Sequence, residues 1–180
     1  MMLIINICKE KLHYYEFVKP IEDILKNNNT KFFTRHYKEL KQSDINKAEK
    51  IIICGTSLKD FEYFNDINKF SWVKDFDKPL LAICGGAQIL IALYKGQIRE
   101  RKEIGPVKIK FTEHFLGMSG KKEAYAIHRL GIGKVGKYFN KFAFSNKGTH
   151  AIKHRTKPFY GVLFHPEVRN KEIIVNFAKS

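Results

Sequence analysis

The sequence predicts an α/β protein of three layers, a mainly parallel open sheet with helices on both faces. Two patterns carry that expectation. Leu3–Cys8, Ile51–Cys54, Leu80–Ile83 and Phe159–Phe164 are short, largely apolar runs, as strands buried on both faces require. Between them, apolar residues recur three to four apart, as in Leu12, Tyr15, Val18, Ile21 and Leu25, and again in Ile89, Leu90, Ala92 and Leu93. Strands alternating with helices build parallel sheets. The 180 residues suit a single domain over 1–180, with a core large enough to need no staples.

Taken in order, Leu3–Cys8 reads as the first strand and the stripe from Leu12 to Leu25 as one helix. Asn27-Asn28-Asn29 breaks that helix before a second strand at Lys31–Tyr37. Ile51–Cys54 forms the third strand and ends at Gly55-Thr56-Ser57. Leu58–Phe70, with mixed aromatic spacing, reads as a short helix. Leu80–Ile83 is the fourth strand and leads into Cys84 and another helix. Beyond Tyr94 the apolar residues alternate in short segments: Val107–Phe111, Tyr125–Ile127, Phe142–Phe144 and Ala151–Lys153. These predict short, partly antiparallel strands in a small edge or flap. Phe159–Phe164 returns to the sheet, and Ile173, Ile174, Val175 and Phe177 fit a closing helix.

Composition narrows the function classes. Cys8, Cys54 and Cys84 are odd in number and form no C-x-x-C pair, which suits a reducing cytoplasm rather than a disulfide framework. The N-terminal MMLIINIC lacks the form of a signal peptide, and no run reaches the ~18 to 20 apolar residues of a membrane span. The net charge of +15 comes from scattered basic residues, with modest clusters at Arg99–Lys102 and Lys153–Lys157. No nucleic-acid-binding motif accompanies them, so a solvated lysine-rich surface is expected and a nucleic-acid partner is not.

Two turns carry chemistry. In KPLLAICGGAQILIALY, Cys84 lies between a buried strand and a helix whose N-terminus offers free N–H groups and a positive dipole end. Such a turn suits a nucleophilic cysteine that Gly85 and Gly86 leave open to substrate, and it equally suits a buried cysteine at a strand end whose glycines only let the helix pack closely. In PFYGVLFHPEV, Pro166 biases His165 toward extended chain, where His165 and Glu167, two apart, point the same way. A carboxylate so placed orients the imidazole toward a thiol. In open α/β sheets the ligand site lies at the carboxyl ends of the strands, where both turns and Gly55-Thr56-Ser57 fall.

AICGGAQ and GVLFHPEV together resemble the class I, or triad, glutamine amidotransferases, and among them most closely the glutaminase subunits of two-subunit GMP synthetases. The resemblance runs over most of the chain and implies a flavodoxin-like fold. It implies Cys84 as nucleophile, His165 as general base and then acid, and Glu167 as the residue orienting it. It further implies an oxyanion hole from the backbone of Gly85 with Gly55 and Thr56, and substrate binding by Gln88, Ile127 and His128. Glutamine is then the substrate, a separate ammonia-accepting synthetase the partner, and neither cofactor nor metal is called for. The same triad would serve a standalone γ-glutamyl hydrolase or amidase, and a regulatory homologue would keep the fold without turnover.

Three positions depart from the family pattern. Cys54-Gly55-Thr56-Ser57 replaces a Gly-Gly-Pro type of loop, Ala82 a glycine, and Ile127 a serine. They predict loose glutamine binding and low activity without a partner. His150 and His154 have the spacing of helical metal ligands, but their segment reads as strand. His13, His36 and His114 are expected at the surface or in packing.

Overall fold

One nine-stranded sheet runs through the protein, whose computed structural model describes residues 1–180. In chain order the elements are β1 (Met2–Asn6), α1 (His13–Phe17), α2 (Lys19–Asn27), β2 (Phe32–His36), α3 (Gln42–Lys47), β3 (Lys50–Ile53), α4 (Glu62–Asn65), β4 (Leu80–Ile83) and α5 (Gly85–Leu93). There follow β5 (Gln97–Phe115), β6 (Met118–Lys134), β7 (Phe139–Ser145), β8 (Gly148–His154), β9 (Phe159–Val162) and α6 (Glu172–Lys179). The strand order is β2-β1-β3-β4-β9-β8-β6-β5-β7, and its first five strands are parallel.

The apolar strands are apolar because both their faces are covered. Ile4, Ile52, Leu81 and Ile83 pack with Ile21, Ile24 and Leu25 of α2 and Ile173, Ile174 and Phe177 of α6. Their neighbours Leu3, Ile5, Ile51, Ile53 and Leu80 point the other way, onto Ile45 of α3, Tyr63 of α4 and Ile89, Leu90 and Ile91 of α5. Each such fully buried side chain contributes about 1.5 to 3 kcal/mol relative to exposure. This is the expected three-layer arrangement.

Details differ from the sequence expectation. The stripe from Leu12 to Leu25 is two helices, because Pro20 is suited to the first turn of α2 and not to the interior of one long helix. Leu58–Phe70 holds only the short α4, and a 3-10 stretch over Ile67–Lys74 buries Phe70 and Val73. A further helix, α3, buries Ile45 alone among its six residues and so shows no stripe in the sequence.

The antiparallel part is larger than a small edge or flap. β5 and β6 have 19 and 17 residues and pair along their length, and β7 pairs with both β5 and β8, closing the ring β8-β6-β5-β7. The basic cluster Arg99–Lys102 belongs to β5, a strand with a solvated side on which Arg99 and Glu100 are exposed. The β5–β6 turn is Leu116-Gly117, with φ of 47° and 86°, and two left-handed residues match the twist of the flanking strands. Asn176 of α6 donates from Nδ2 to the Leu116 carbonyl at 3.1 Å, tying this turn to the closing helix. No helix is long and apolar enough to cross a membrane.

Candidate active site

Three turns meet at the carboxyl ends of β3, β4 and β9. The middle one holds Cys84 at φ 47°, ψ −102°. Such backbone costs a non-glycine residue on the order of 1 to 3 kcal/mol and persists only where neighbours impose it. Here the Cys84 amide donates to Val162 O at 2.7 Å, and its carbonyl accepts from Gln88 N at 3.1 Å, which starts α5. Gly86 allows the close packing of that helix on β3, since a Cβ there would lie 2.6 Å from Ile53 O.

After β9 the chain carries His165 and Glu167 into the interior. Both are buried, with His165 Nδ1 2.6 Å from Glu167 Oε1. The carboxylate fixes the ring with its proton on Nδ1, leaving Nε2 buried and without a hydrogen-bond partner. Burial opposes the charged imidazolium. The charges of Glu167 and Cys84 outweigh burial and hold His165 well above the ordinary histidine range. Phe17 packs on the ring, centroids 5.3 Å apart, and shuts out water.

The third turn is Gly55-Thr56-Ser57. The amides of Gly55 and Thr56 donate to no acceptor in the protein, although both residues are buried. Asp60 fixes this loop in place of a proline. Its Oδ2 accepts from the Thr56 hydroxyl at 2.7 Å and from the Lys9 amide at 2.6 Å, and its Oδ1 from the Glu62 amide at 3.3 Å. Asp60 belongs to no motif, and its only local signal is its place five residues beyond Gly55.

β6 crosses all of this. Tyr125 O accepts from the His165 amide at 2.8 Å, Ile127 O lies 3.7 Å from Cys84 Sγ, and Leu130 O accepts from Gln88 Nε2 at 2.8 Å. Tyr63 donates its hydroxyl to Gln88 Oε1 at 2.5 Å, so both ends of the Gln88 amide are held within the protein. Ile127 borders Cys84. His128 borders the cleft as well, but its ring turns to the other side of the strand, with Nδ1 3.0 Å from Arg101 O. The cleft among Thr56, Tyr63, Cys84, Gln88 and Ile127 has about 10 Å³ of free room, the space of roughly one water. A larger hollow, lined by Lys108, Lys110, Lys121 and Lys122, holds no cysteine or histidine.

The other cysteines are unsuited to attack. Burial pushes the Cys8 thiol up to about 12 and Cys54 well above its ordinary value. His13 packs edge-on against Phe17, and His36 Nε2 lies 3.0 Å from Cys8 O, both in structural roles. His150 and His154 lie on β8, not on a helix.

The family model for glutamine amidotransferase class-I matches residues 12–177. The chain is 29% identical to one subunit of the glutamine-hydrolyzing GMP synthase of Methanocaldococcus jannaschii, over 87% of this chain and 95% of the relative. It is 31% identical to the glutamine-hydrolyzing GMP synthase of Francisella philomiragia over 73% of this chain, and that match spans 27% of the longer protein. Among solved structures, one assigned as a GMP synthase subunit from Thermoplasma acidophilum superposes with a TM-score of 0.88, covering 99% of this chain and 92% of the other at 17% identity. A glutamine amidotransferase from Thermotoga maritima gives 0.74, with 95% and 77% covered at 16% identity. At those identities the superpositions establish a shared fold.

Proposed function

The chain belongs to the class I glutamine amidotransferases, and from that premise we propose that it hydrolyses glutamine at Cys84 and delivers the ammonia to a separate GMP synthetase subunit. The observation that carries the reading is the buried His165–Glu167 pair at 2.6 Å, whose free Nε2 belongs to the turn packed beside Cys84.

Chemistry then assigns the roles. The Cys84 thiolate attacks the side-chain carboxamide carbon, and the C–N bond breaks as His165 gives its Nε2 proton to the departing ammonia. The same nitrogen next takes a proton from water, which attacks the thioester and releases glutamate. Backbone N–H groups of Gly85 with Gly55 and Thr56 meet the oxyanion, and one such donor is typically worth about 3 to 4 kcal/mol. Glu167 keeps the ring oriented and supports its charged form throughout.

The closed cleft favours a partner-dependent enzyme. The cleft beside Cys84 is narrow, and Gln88 cannot grip glutamine while bound to Tyr63 and Leu130. Synthetase docking that moves β6 by a small amount would open both. One observation favours a standalone γ-glutamyl hydrolase instead: Asp60 already fixes the Gly55–Thr56 loop without a partner.

Steady-state glutamine hydrolysis separates the readings. Purified protein alone is expected to turn over slowly, and addition of the synthetase subunit encoded by the same organism to raise the rate roughly 5- to 150-fold. Cys84→Ala abolishes both rates. Full activity alone, unchanged by any synthetase, supports the standalone hydrolase.

A further inference from the structure

Outside the proposed catalytic machinery, three strands of the antiparallel ring bring Glu103 of β5, His128 of β6 and His150 of β8 into one buried cluster. Their exposures are 6%, 2% and 1%. Nothing in the sequence joins these residues. Glu103 ends the basic run Arg99–Lys102, and a register shift between Glu100 and Glu103 sets it directly opposite His128. Bulges of this kind re-aim side chains.

The contacts within the cluster are incomplete. His128 Nδ1 faces Arg101 O at 3.0 Å and so carries the proton, which leaves Nε2 a bare lone pair. That lone pair points at Glu103 Oε2, 3.4 Å away, and His150 Nε2 is 3.2 Å from the same oxygen. Glu103 Oε2, His128 Nε2 and His150 Nδ1 have no hydrogen-bond partner. Between His128 Nε2 and Glu103 Oε2, lone pair faces lone pair unless a cation or a proton lies between them.

We propose that Glu103, His128 and His150 bind a divalent transition-metal ion, with zinc the ion that their donors fit. Two imidazole nitrogens and one carboxylate oxygen form a known zinc donor set. With bonds of about 2.0 to 2.1 Å, a tetrahedral zinc site has donor–donor edges of roughly 3.3 Å. The two N···O separations, 3.4 and 3.2 Å, match two of those edges, and all three donors lie within 4.8 Å of one another. The Arg101 carbonyl supplies the orienting contact that a ligating histidine ordinarily has on its other nitrogen. The Ser145 hydroxyl, 2.9 Å from His150 Nε2, or a water is available for the fourth position. A surface hollow lined by Glu103, Ile104, Pro106, Asn146 and Lys147 gives the ion a way in. Burial also holds the imidazoles neutral, the form a metal takes, pushing His128 down to about 3 and His150 to about 4.

Such an ion would clip β5, β6 and β8 together next to Ile127, whose carbonyl contacts Cys84. Its role is structural support of the wall over the nucleophile, and it takes no part in the reaction. The proposal holds whether or not the chain hydrolyses glutamine.

The test uses full-length Cys84→Ser protein, so that the active-site thiol cannot compete for metal. After removal of metal by a chelator, zinc alone is titrated by calorimetry and bound metal is measured after dialysis. One equivalent is expected, together with a rise in Tm of about 5 °C at a hundredfold excess over Kd. Cobalt in place of zinc should give the visible absorption of a tetrahedral site. Glu103→Gln and His128→Gln should each weaken zinc at least about tenfold. Should either variant fail to fold, imidazole nitrogen NMR on the unmutated cluster serves instead, with His128 and His150 shifting on zinc addition. No zinc uptake at ~100 µM, uptake that both variants leave intact, or shifts confined to other histidines would overturn the proposal.

Discussion

Gly55 and His165 meet where no side chain would fit: a Cβ on Gly55 would lie 2.6 Å from Cε1 of His165 and 3.3 Å from Cβ of Cys84. The missing side chain lets the two turns close on each other. Gly55→Ala should displace the imidazole, and a misplacement of about 1 Å can cost on the order of 100-fold in rate. Glutamine hydrolysis should fall by about that factor while the far-ultraviolet circular dichroism stays unchanged. An alanine variant of wild-type activity would show that the ring does not work from its observed position.

Glu167 should tune the pH profile. Its charge raises His165, so Glu167→Gln lowers the pH at which the imidazolium is lost. The alkaline limb of kcat/KM should move to lower pH, and the maximal rate should fall by about 10²- to 10⁴-fold. A fall in rate with an unmoved alkaline limb would argue that Glu167 only packs.

Asp60 should matter to loop and fold together. Asp60→Ala leaves the Thr56 hydroxyl and the Lys9 amide without an acceptor, a loss of about 1 to 3 kcal/mol. Urea denaturation should show that loss. The rate should drop further than the stability alone explains, because the Gly55 and Thr56 amides lose their fixed direction.

His154 should make the protein acid-sensitive. Its Nδ1 accepts from the amides of Thr156 and Lys157 at 3.2 and 3.1 Å, which only an unprotonated nitrogen can do. Burial, and then Lys157, lower its pKa from the ordinary value. The unfolded chain therefore takes up a proton near pH 6.5 while the folded protein does not. This contribution to stability is complete above pH ~6.5 and is lost as pH falls toward the folded value. Unfolding curves from pH 7.5 to 5 should show wild type losing more stability than His154→Gln.

The sequence disclosed most plainly what a local pattern encodes. Ile51–Ile53 and Leu80–Ile83 are apolar at every position because two helical layers need them, and a run of that kind has few other readings. Cys84, His165 and Glu167 could be proposed together in advance because they stand in two short motifs that resemble the family's, while the packing of the two turns on each other comes only from the fold. The antiparallel ring was less legible. Arg99 and Glu100 are polar because their strand has a solvated side, and an alternating pattern broken by a bulge looks like a charged turn. Gln88 shows another limit. Its position in the elbow helix was evident, but its engagement by Tyr63, 25 residues earlier, depends on the packing of two helices. Asp60 and Glu103 gain their roles only through partners brought close by the fold.

The left-handed backbone at Cys84 sets the fold against its own nucleophile. Glycine would adopt φ 47° freely, so Cys84→Gly should relieve on the order of 1 to 3 kcal/mol of strain, less about 0.5 to 1 kcal/mol of chain entropy. The variant is expected to melt at or above the wild-type temperature and to be inactive. Inactivation at this position is therefore thermodynamically downhill. A lineage relieved of the need for turnover would drift toward glycine here, while one that keeps cysteine shows that the need persists.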